Sequence, residues 1–290
     1  MNLDHDNIAQ AIIDNLPEAH VALELEVAAG GTVNYVAVPR GHELKQIDTE
    51  GYLDNPRRAK TTASFSDADS FIAYVLAHNS GRTDVWAEFD PAAGKLGFTA
   101  VFDDHTVDSA GWRQKRAVYT PKTSHEWNIW SGKNGSQQAQ ADFALFLENN
   151  EKDVAGGDGS GFPSSLDILT MATNFEAHAD KSYKSKLNLQ SGGVTLEFVD
   201  TDKPETVERM KVFNKFQIGI PVFWALHKAD EPVPAWPIVA RLKYRPSNGK
   251  VVFWYELVRA DVVFELAATA LLDKVKEGLG DIPVRLGSCS

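Results

Sequence analysis

The sequence predicts an α+β fold with antiparallel sheets, helices packed on one face, and a possible division into two sub-domains. Three observations carry this. Runs that alternate apolar and polar residues sit next to each other across short turns, as in Val85–Phe89 with Leu96–Phe102 and within Trp236–Val258. Runs with apolar residues at helical spacing punctuate those pairs. No internal repeat of fixed period is present, so strands pair locally rather than stacking as a solenoid.

In chain order, Asn7–Leu16 places Ile8, Ala11, Ile12 and Leu16 on one helical face behind an Asp6 cap. Val21–Val27 alternates and turns at Gly30-Gly31 into Thr32–Val38. Pro39–Pro56 reads as irregular. Ser66–His78 is a helix with Ser66 as cap, Asp69 three residues on, and a stripe of Phe71, Tyr74, Val75 and His78. Val85–Phe89 and Leu96–Phe102 form a hairpin, and Trp112–Tyr119 is a further extended run. His125–Trp130 reads as a strand, with Trp127 and Ile129 on one face and Asn128 and Trp130 on the other. Ser136–Asn149 is a helix that turns Phe143, Phe146 and Leu147 inward.

Ala155–Pro163 (AGGDGSGFP) holds four glycines in nine residues and breaks the pattern. It divides the chain into an amino-terminal α+β half (1–154), a Gly-rich linker or loop (155–163), and a carboxy-terminal α+β half (164–290). Ser164 and Asp167 open the next helix with a capping-box pattern. Val194–Val199 is a strand, and Lys211–Leu226 is mostly extended. Asp261–Glu277 is the last long helix, with Gly278 past its end.

The chain has 290 residues, 43% of them apolar, which is enough for a sizeable core. Its formal net charge is -11, which argues against a protein that coats duplex DNA over its whole surface but leaves room for a local basic groove. The single cysteine, Cys289, excludes an internal disulfide. The start MNLDHDNIAQ is acidic and polar, unlike a signal peptide. No apolar run approaches the ~20 residues of a membrane helix. Together these predict a cytoplasmic protein with no membrane partner.

Asn248-Gly249 is a strong hairpin signal, because a type I′ turn needs positive φ at both positions. With those two residues as the loop, Ser247 pairs with Lys250, Arg245 with Val252, Lys243 with Trp254, and Arg241 with Glu256. The opposite face pairs Tyr244 with Phe253, Leu242 with Tyr255 and Ala240 with Leu257, and is core. The first face gathers Arg241, Lys243, Arg245 and Trp254. Cations beside an aromatic plane suit single-stranded nucleic acid, charge meeting the backbone and the ring stacking on a base. The competing account is a solvated sheet face, one tryptophan covered by lysine and arginine stems.

A second excess of positive charge lies between Gly111 and Lys133, where five Lys or Arg face one acid, Glu126. Arg113, Lys115 and Arg116 are its candidates for nucleic-acid contact. Asp103-Asp104-His105 is a weak metal or acid–base candidate. If extended, Asp103 and His105 converge while Asp104 points away. A polar turn after a core strand explains the same residues, so neither a metal nor a cofactor is expected. The chain has no phosphate-binding GxxxxGK[ST] loop, no GxGxxG, no HExxH, no paired CxxC and no GxSxG elbow.

Several blocks, in order, carry a resemblance. They are Val36–Pro39 with Gly41; Ser64–Tyr74 (SFSDADSFIAY); Ala100–His105 (AVFDDH), followed by Trp112 and Ala117–Tyr119; Glu126-Trp127; Phe143–Asn149; Ile220-Pro221; and Ala240–Tyr244. Over roughly Val36 to Leu266 the chain resembles the YfdQ-like family of phage and prophage proteins of unknown function. The resemblance implies a setting near phage recombination and replication, and no mechanism. Three readings follow. The chain is a non-catalytic accessory protein that binds single-stranded nucleic acid or a recombination or replication partner. Alternatively it is an acidic inhibitor of a host defence protein, or a metal-dependent enzyme around Asp103 and His105.

Overall fold

In the computed structural model, residues 24–27, 31–34, 53–91, 93–157, 159–174, 182–187, 193–199, 207–226, 232–247 and 250–289 are described. The expected helix at Asn7–Leu16 lies outside them. The chain divides into two compact units, Met1–Arg58 and Ala59–Ser290. In the first, β1 (Glu24–Val27) pairs antiparallel with β2 (Gly31–Asn34) from Glu24↔Asn34 to Val27↔Gly31. The hairpin is the expected one, but Gly31 belongs to the second strand rather than to the turn.

The second unit is α+β. Its strands are β3 (Thr61–Phe65), β4 (Asp84–Asp90), β5 (Lys95–Val101), β6 (Lys115–Tyr119), β7 (Gln138–Ala139), β8 (Ser182–Leu187), β9 (Gly193–Val199), β10 (Val207–Phe213), β11 (Lys215–Ile220), β12 (Trp236–Ser247), β13 (Lys250–Leu257) and β14 (Val284–Leu286). Its helices are α1 (Ala68–Ala77), α2 (His125–Lys133), α3 (Gln140–Asn149), α4 (Ser165–Asn174) and α5 (Ala260–Leu279).

Strands β14-β4-β5-β6-β3 make a five-stranded sheet, antiparallel at its centre and parallel at both edges. β11-β12-β13-β7 make an antiparallel four-stranded sheet, and β10-β9-β8 an antiparallel three-stranded one. Strands from both sides of Ala155–Pro163 share sheets: β14 completes the first and β7 the second.

Alternation decides what each sheet buries. On the five-stranded sheet Val85, Ala87, Phe98, Ala100 and Ala117 point inward and are fully buried or nearly so under α1 and α5. On the four-stranded sheet Phe216, Ile218, Ile238, Ala240, Phe253 and Tyr255 do the same under α2, α3 and α4. Trp127 and Val263 pack against both cores.

The helix caps refine the sequence reading. α1 is capped by Asp67, not Ser66: its Oδ2 accepts from Ser70 N–H at 2.8 Å. The Ser164–Asp167 capping box forms in both directions, Ser164 N–H donating to Asp167 at 3.0 Å and Asp167 N–H to Ser164 at 3.2 Å. α5 continues through Gly278 to Leu279, and the left-handed residue after it is Gly280, with φ +60°. Inside the helix, Gly278 gives Ile72 of α1 room to pack: a Cβ there would lie 2.7 Å from Ile72 Cδ1. The helix expected from Ser136 begins at Gln140 instead, and the extended run expected from Trp112 is a strand only from Lys115.

The largest correction concerns His125–Trp130, which is the start of α2 and not a strand. Ser124 Oγ accepts from Trp127 N–H at 2.9 Å and nucleates the turn. Glu126 in the first turn and Lys133 in the last complement the helix dipole. Trp127 and Trp130, three apart, therefore share a side, and Trp130 is fully buried.

The Gly-rich segment is tied to β11. Ala155 N–H donates to Gln217 O at 2.9 Å, and Val154 bridges Ile218. No helix among the described residues is long and apolar enough to cross a membrane.

Candidate nucleic-acid interface

The closing hairpin has the register derived from its turn. Ser247 pairs with Lys250, Arg245 with Val252, Lys243 with Trp254, and Arg241 with Glu256. Asn248-Gly249 themselves lie outside the described residues. Arg241, Lys243 and Arg245 are exposed, while Ala240 and Leu242 between them are buried. Alternate residues of a strand stand about 7 Å apart on one side, so the three cations form a row. Trp254 lies half-buried beside that row.

Lys215 of β11 extends it, because its register partner is Arg241. Its Nζ stands 5.6 Å from the centroid of the Phe162 ring. Sequence reading missed Lys215, since nothing local says which strand lies beside β12.

One carboxylate sits within the row. Glu256 Oε1 accepts from Lys243 Nζ at 2.8 Å, and both side chains are well exposed. The Lys243 hydrogen bond, the Trp254 indole and the charges of Lys243 and Arg241 hold its carboxyl below the usual range. An exposed pair of this kind contributes little to stability. It does orient Lys243 across the face of the sheet. Arg245 Nη2 donates to Gln137 Oε1 at 2.8 Å.

Arg113, Lys115 and Arg116 are placed differently. They lie on or just before β6, in the five-stranded sheet, and each has an intramolecular partner. Arg113 Nε donates to Asp104 Oδ1 at 2.6 Å. Arg116 Nε donates to Arg113 O at 2.8 Å. Lys115 Nζ lies 5.0 Å from the Phe102 ring centroid. Lys115 and Arg116 are neighbours on a strand and project to opposite sides.

The Asp103-Asp104-His105 turn inverts its expected geometry, because Asp104 is the buried member at 3% exposure. Its Oδ2 accepts from Trp86 Nε1 at 3.0 Å, and its Oδ1 from Arg113 and from His105 N–H at 2.7 Å. Burial alone would raise its pKa. The hydrogen bonds from Trp86, Arg113 and His105, with the charge of Arg113, outweigh burial and hold the carboxyl below the usual range. Asp103 instead accepts from the backbone N–H groups of Gln114 and Lys115. His105 Nδ1 accepts from Gly111 N–H at 2.8 Å. Among the described residues no three His, Cys, Asp or Glu converge to hold a metal.

Arg113 takes a left-handed backbone, φ +54°, to aim its side chain at Asp104. Gly111 makes room for this turn. A Cβ there would lie 1.9 Å from Asp103 O, a backbone atom that cannot swing aside. Gly111→Ala is therefore expected to cost more than about 1 kcal/mol, read as a lowered midpoint in urea.

A family model described as "Uncharacterized conserved protein (DUF2303)" matches residues 6–289. No curated protein and no solved structure matches the chain.

Proposed function

The chain belongs to the DUF2303 family of uncharacterized conserved proteins, and from that premise we propose that it is a non-catalytic protein that binds single-stranded nucleic acid along the outer face of the four-stranded sheet. The observation that carries this reading is the row Lys215, Arg241, Lys243 and Arg245 beside Trp254, all on the side of the sheet away from its core. The cations neutralise successive phosphates, and the indole offers a stacking plane. In an otherwise acidic chain, repulsion elsewhere confines a polyanion to this strip. The resemblance to YfdQ-like phage proteins gives the reading its setting, an accessory role in phage recombination or replication.

The test is fluorescence anisotropy of a labelled oligothymidylate at low salt. Binding is expected, and Trp254→Ala is expected to weaken it by about 1–3 kcal/mol. Absence of binding would overturn the reading and move the acidic-inhibitor account, built on the net charge of -11, ahead of it.

A further inference from the structure

A cleft on the helical side of the five-stranded sheet has the features of a second binding site. It opens between the start of α1, one face of α5, and the segments Val222–Leu226 and Pro232–Trp236, and encloses about 160 Å³. Most of its wall is apolar, with Trp224 and Trp236 the largest side chains. Trp224 is 42% exposed, unusual for an indole with no surface role. Its polar groups cluster at one end: Asp67, Asp69, Lys274 and the Tyr119 phenol.

Tyr119 is the informative group. Its ring is buried at 2% exposure, stacked on Phe98 at 5.6 Å and close to Phe71. Among the described residues its hydroxyl has no hydrogen-bond partner, yet it lines the cleft. The phenol oxygen opens onto the cleft, where an acceptor on a bound molecule can take the place of solvent. Burial, and then the charges of Asp67 and Asp69, raise its pKa, so it is a neutral donor throughout the physiological range.

The carboxylates set the sign of the partner. Asp69 is paired with Lys274 at 2.9 Å. Asp67 uses one oxygen to cap α1 and, among the described residues, pairs with no cation. Among the described residues that line it, this end of the cleft carries two acids and one base.

We propose that this cleft binds a peptide segment of a partner protein, holding an aliphatic side chain between Trp224 and Trp236, a backbone carbonyl on the Tyr119 hydroxyl, and an adjacent Lys or Arg over Asp67. A peptide supplies an acceptor, an apolar group and a cation within one residue step. The cavity has room for about one side chain and its backbone, whereas a polyanion is repelled from this end. The proposal stands apart from the nucleic-acid row, which lies on a different sheet.

The test uses three blocked dipeptides on the intact protein: acetyl-Leu-Arg-amide, its neutral citrulline analogue, and acetyl-Leu-Glu-amide. The readout is the tryptophan indole N–H signals in ¹H–¹⁵N spectra, with Trp224 and Trp236 assigned by Trp→Phe variants. The Arg dipeptide is expected to shift both signals saturably at millimolar concentration and to bind at least about tenfold more tightly than the Glu dipeptide. Asp67→Asn keeps a good helix cap but removes the charge, so it is expected to abolish the preference for Arg over citrulline. Tyr119→Phe is expected to weaken Arg and citrulline dipeptides alike, by about fivefold. The proposal is overturned if the Arg dipeptide gives no saturable shift, if citrulline or Glu analogues bind as well as Arg, or if Tyr119→Phe, folded as judged by its spectrum, binds unchanged.

Discussion

Replacing Asp104 by alanine is expected to lower the unfolding free energy by about 3–5 kcal/mol, the cost of breaking a buried ion pair by removing one partner. The carboxylate satisfies three donors at once: the Trp86 indole, Arg113 Nε and the His105 N–H. Its loss removes the acceptor that each of them uses, in a site where the Arg113 side chain is only 20% exposed. Arg113 also holds a left-handed backbone that its ion pair with Asp104 helps to fix. Asp104→Asn keeps a single acceptor oxygen, for either the Trp86 indole or the His105 and Arg113 donors, and removes the charge opposite Arg113, so it recovers only part of the loss.

The pH dependence has a definite sign. The folded carboxyl sits below its unfolded value, which is about 3.9. Its contribution is therefore fully present above the unfolded value and is lost as pH falls through the folded one. Urea titrations of wild type and Asp104→Asn should differ by a constant amount above about pH 5 and converge in acid. A gap that widens in acid would contradict this reading of the site.

Trp130→Ala is expected to cost about 3–5 kcal/mol, the range for truncating a fully buried large aromatic. Trp130 lies at the centre of the core beneath the four-stranded sheet. Its ring is 4.8 Å from Phe146, 5.2 Å from Tyr255 and 6.0 Å from Phe216. Its indole N–H donates to Asp153 at 2.7 Å, and its carbonyl accepts from the buried Tyr255 hydroxyl at 2.6 Å. Alanine would leave a cavity that three aromatic rings cannot easily fill, and would strip Asp153 of a donor. Trp130→Phe keeps most of the volume and is expected to recover more than half of the loss in the same urea titration.

The closing hairpin was legible to the residue because two independent local signals agreed. Asn248-Gly249 set the loop length, and strict alternation set the faces. α2 was misread because six residues with Trp127, Ile129 and Trp130 satisfy a period of two nearly as well as a period of three or four. The deciding signal was present in Ser124 as a cap with Glu126 in the first turn.

Asp104 was misjudged for a different reason. Strand alternation does not extend into residues that have already left β5, and the indole that Asp104 meets there, Trp86, lies eighteen positions upstream. Lys215 and the cleft around Tyr119 depend on which segments become neighbours in space, and no local pattern encodes that.

The most direct test of the nucleic-acid reading is the salt dependence of oligothymidylate binding in wild type and Lys243→Gln. For single strands the slope of log K against log salt is about 0.7 per neutralised phosphate. With Lys215, Arg241, Lys243 and Arg245 engaged, a wild-type slope of magnitude near 3 is expected, falling by about 0.7 in Lys243→Gln with affinity reduced alike for all sequences. A slope near zero, or one that Lys243→Gln leaves unchanged, would show that this row is a solvated sheet face and not a binding surface.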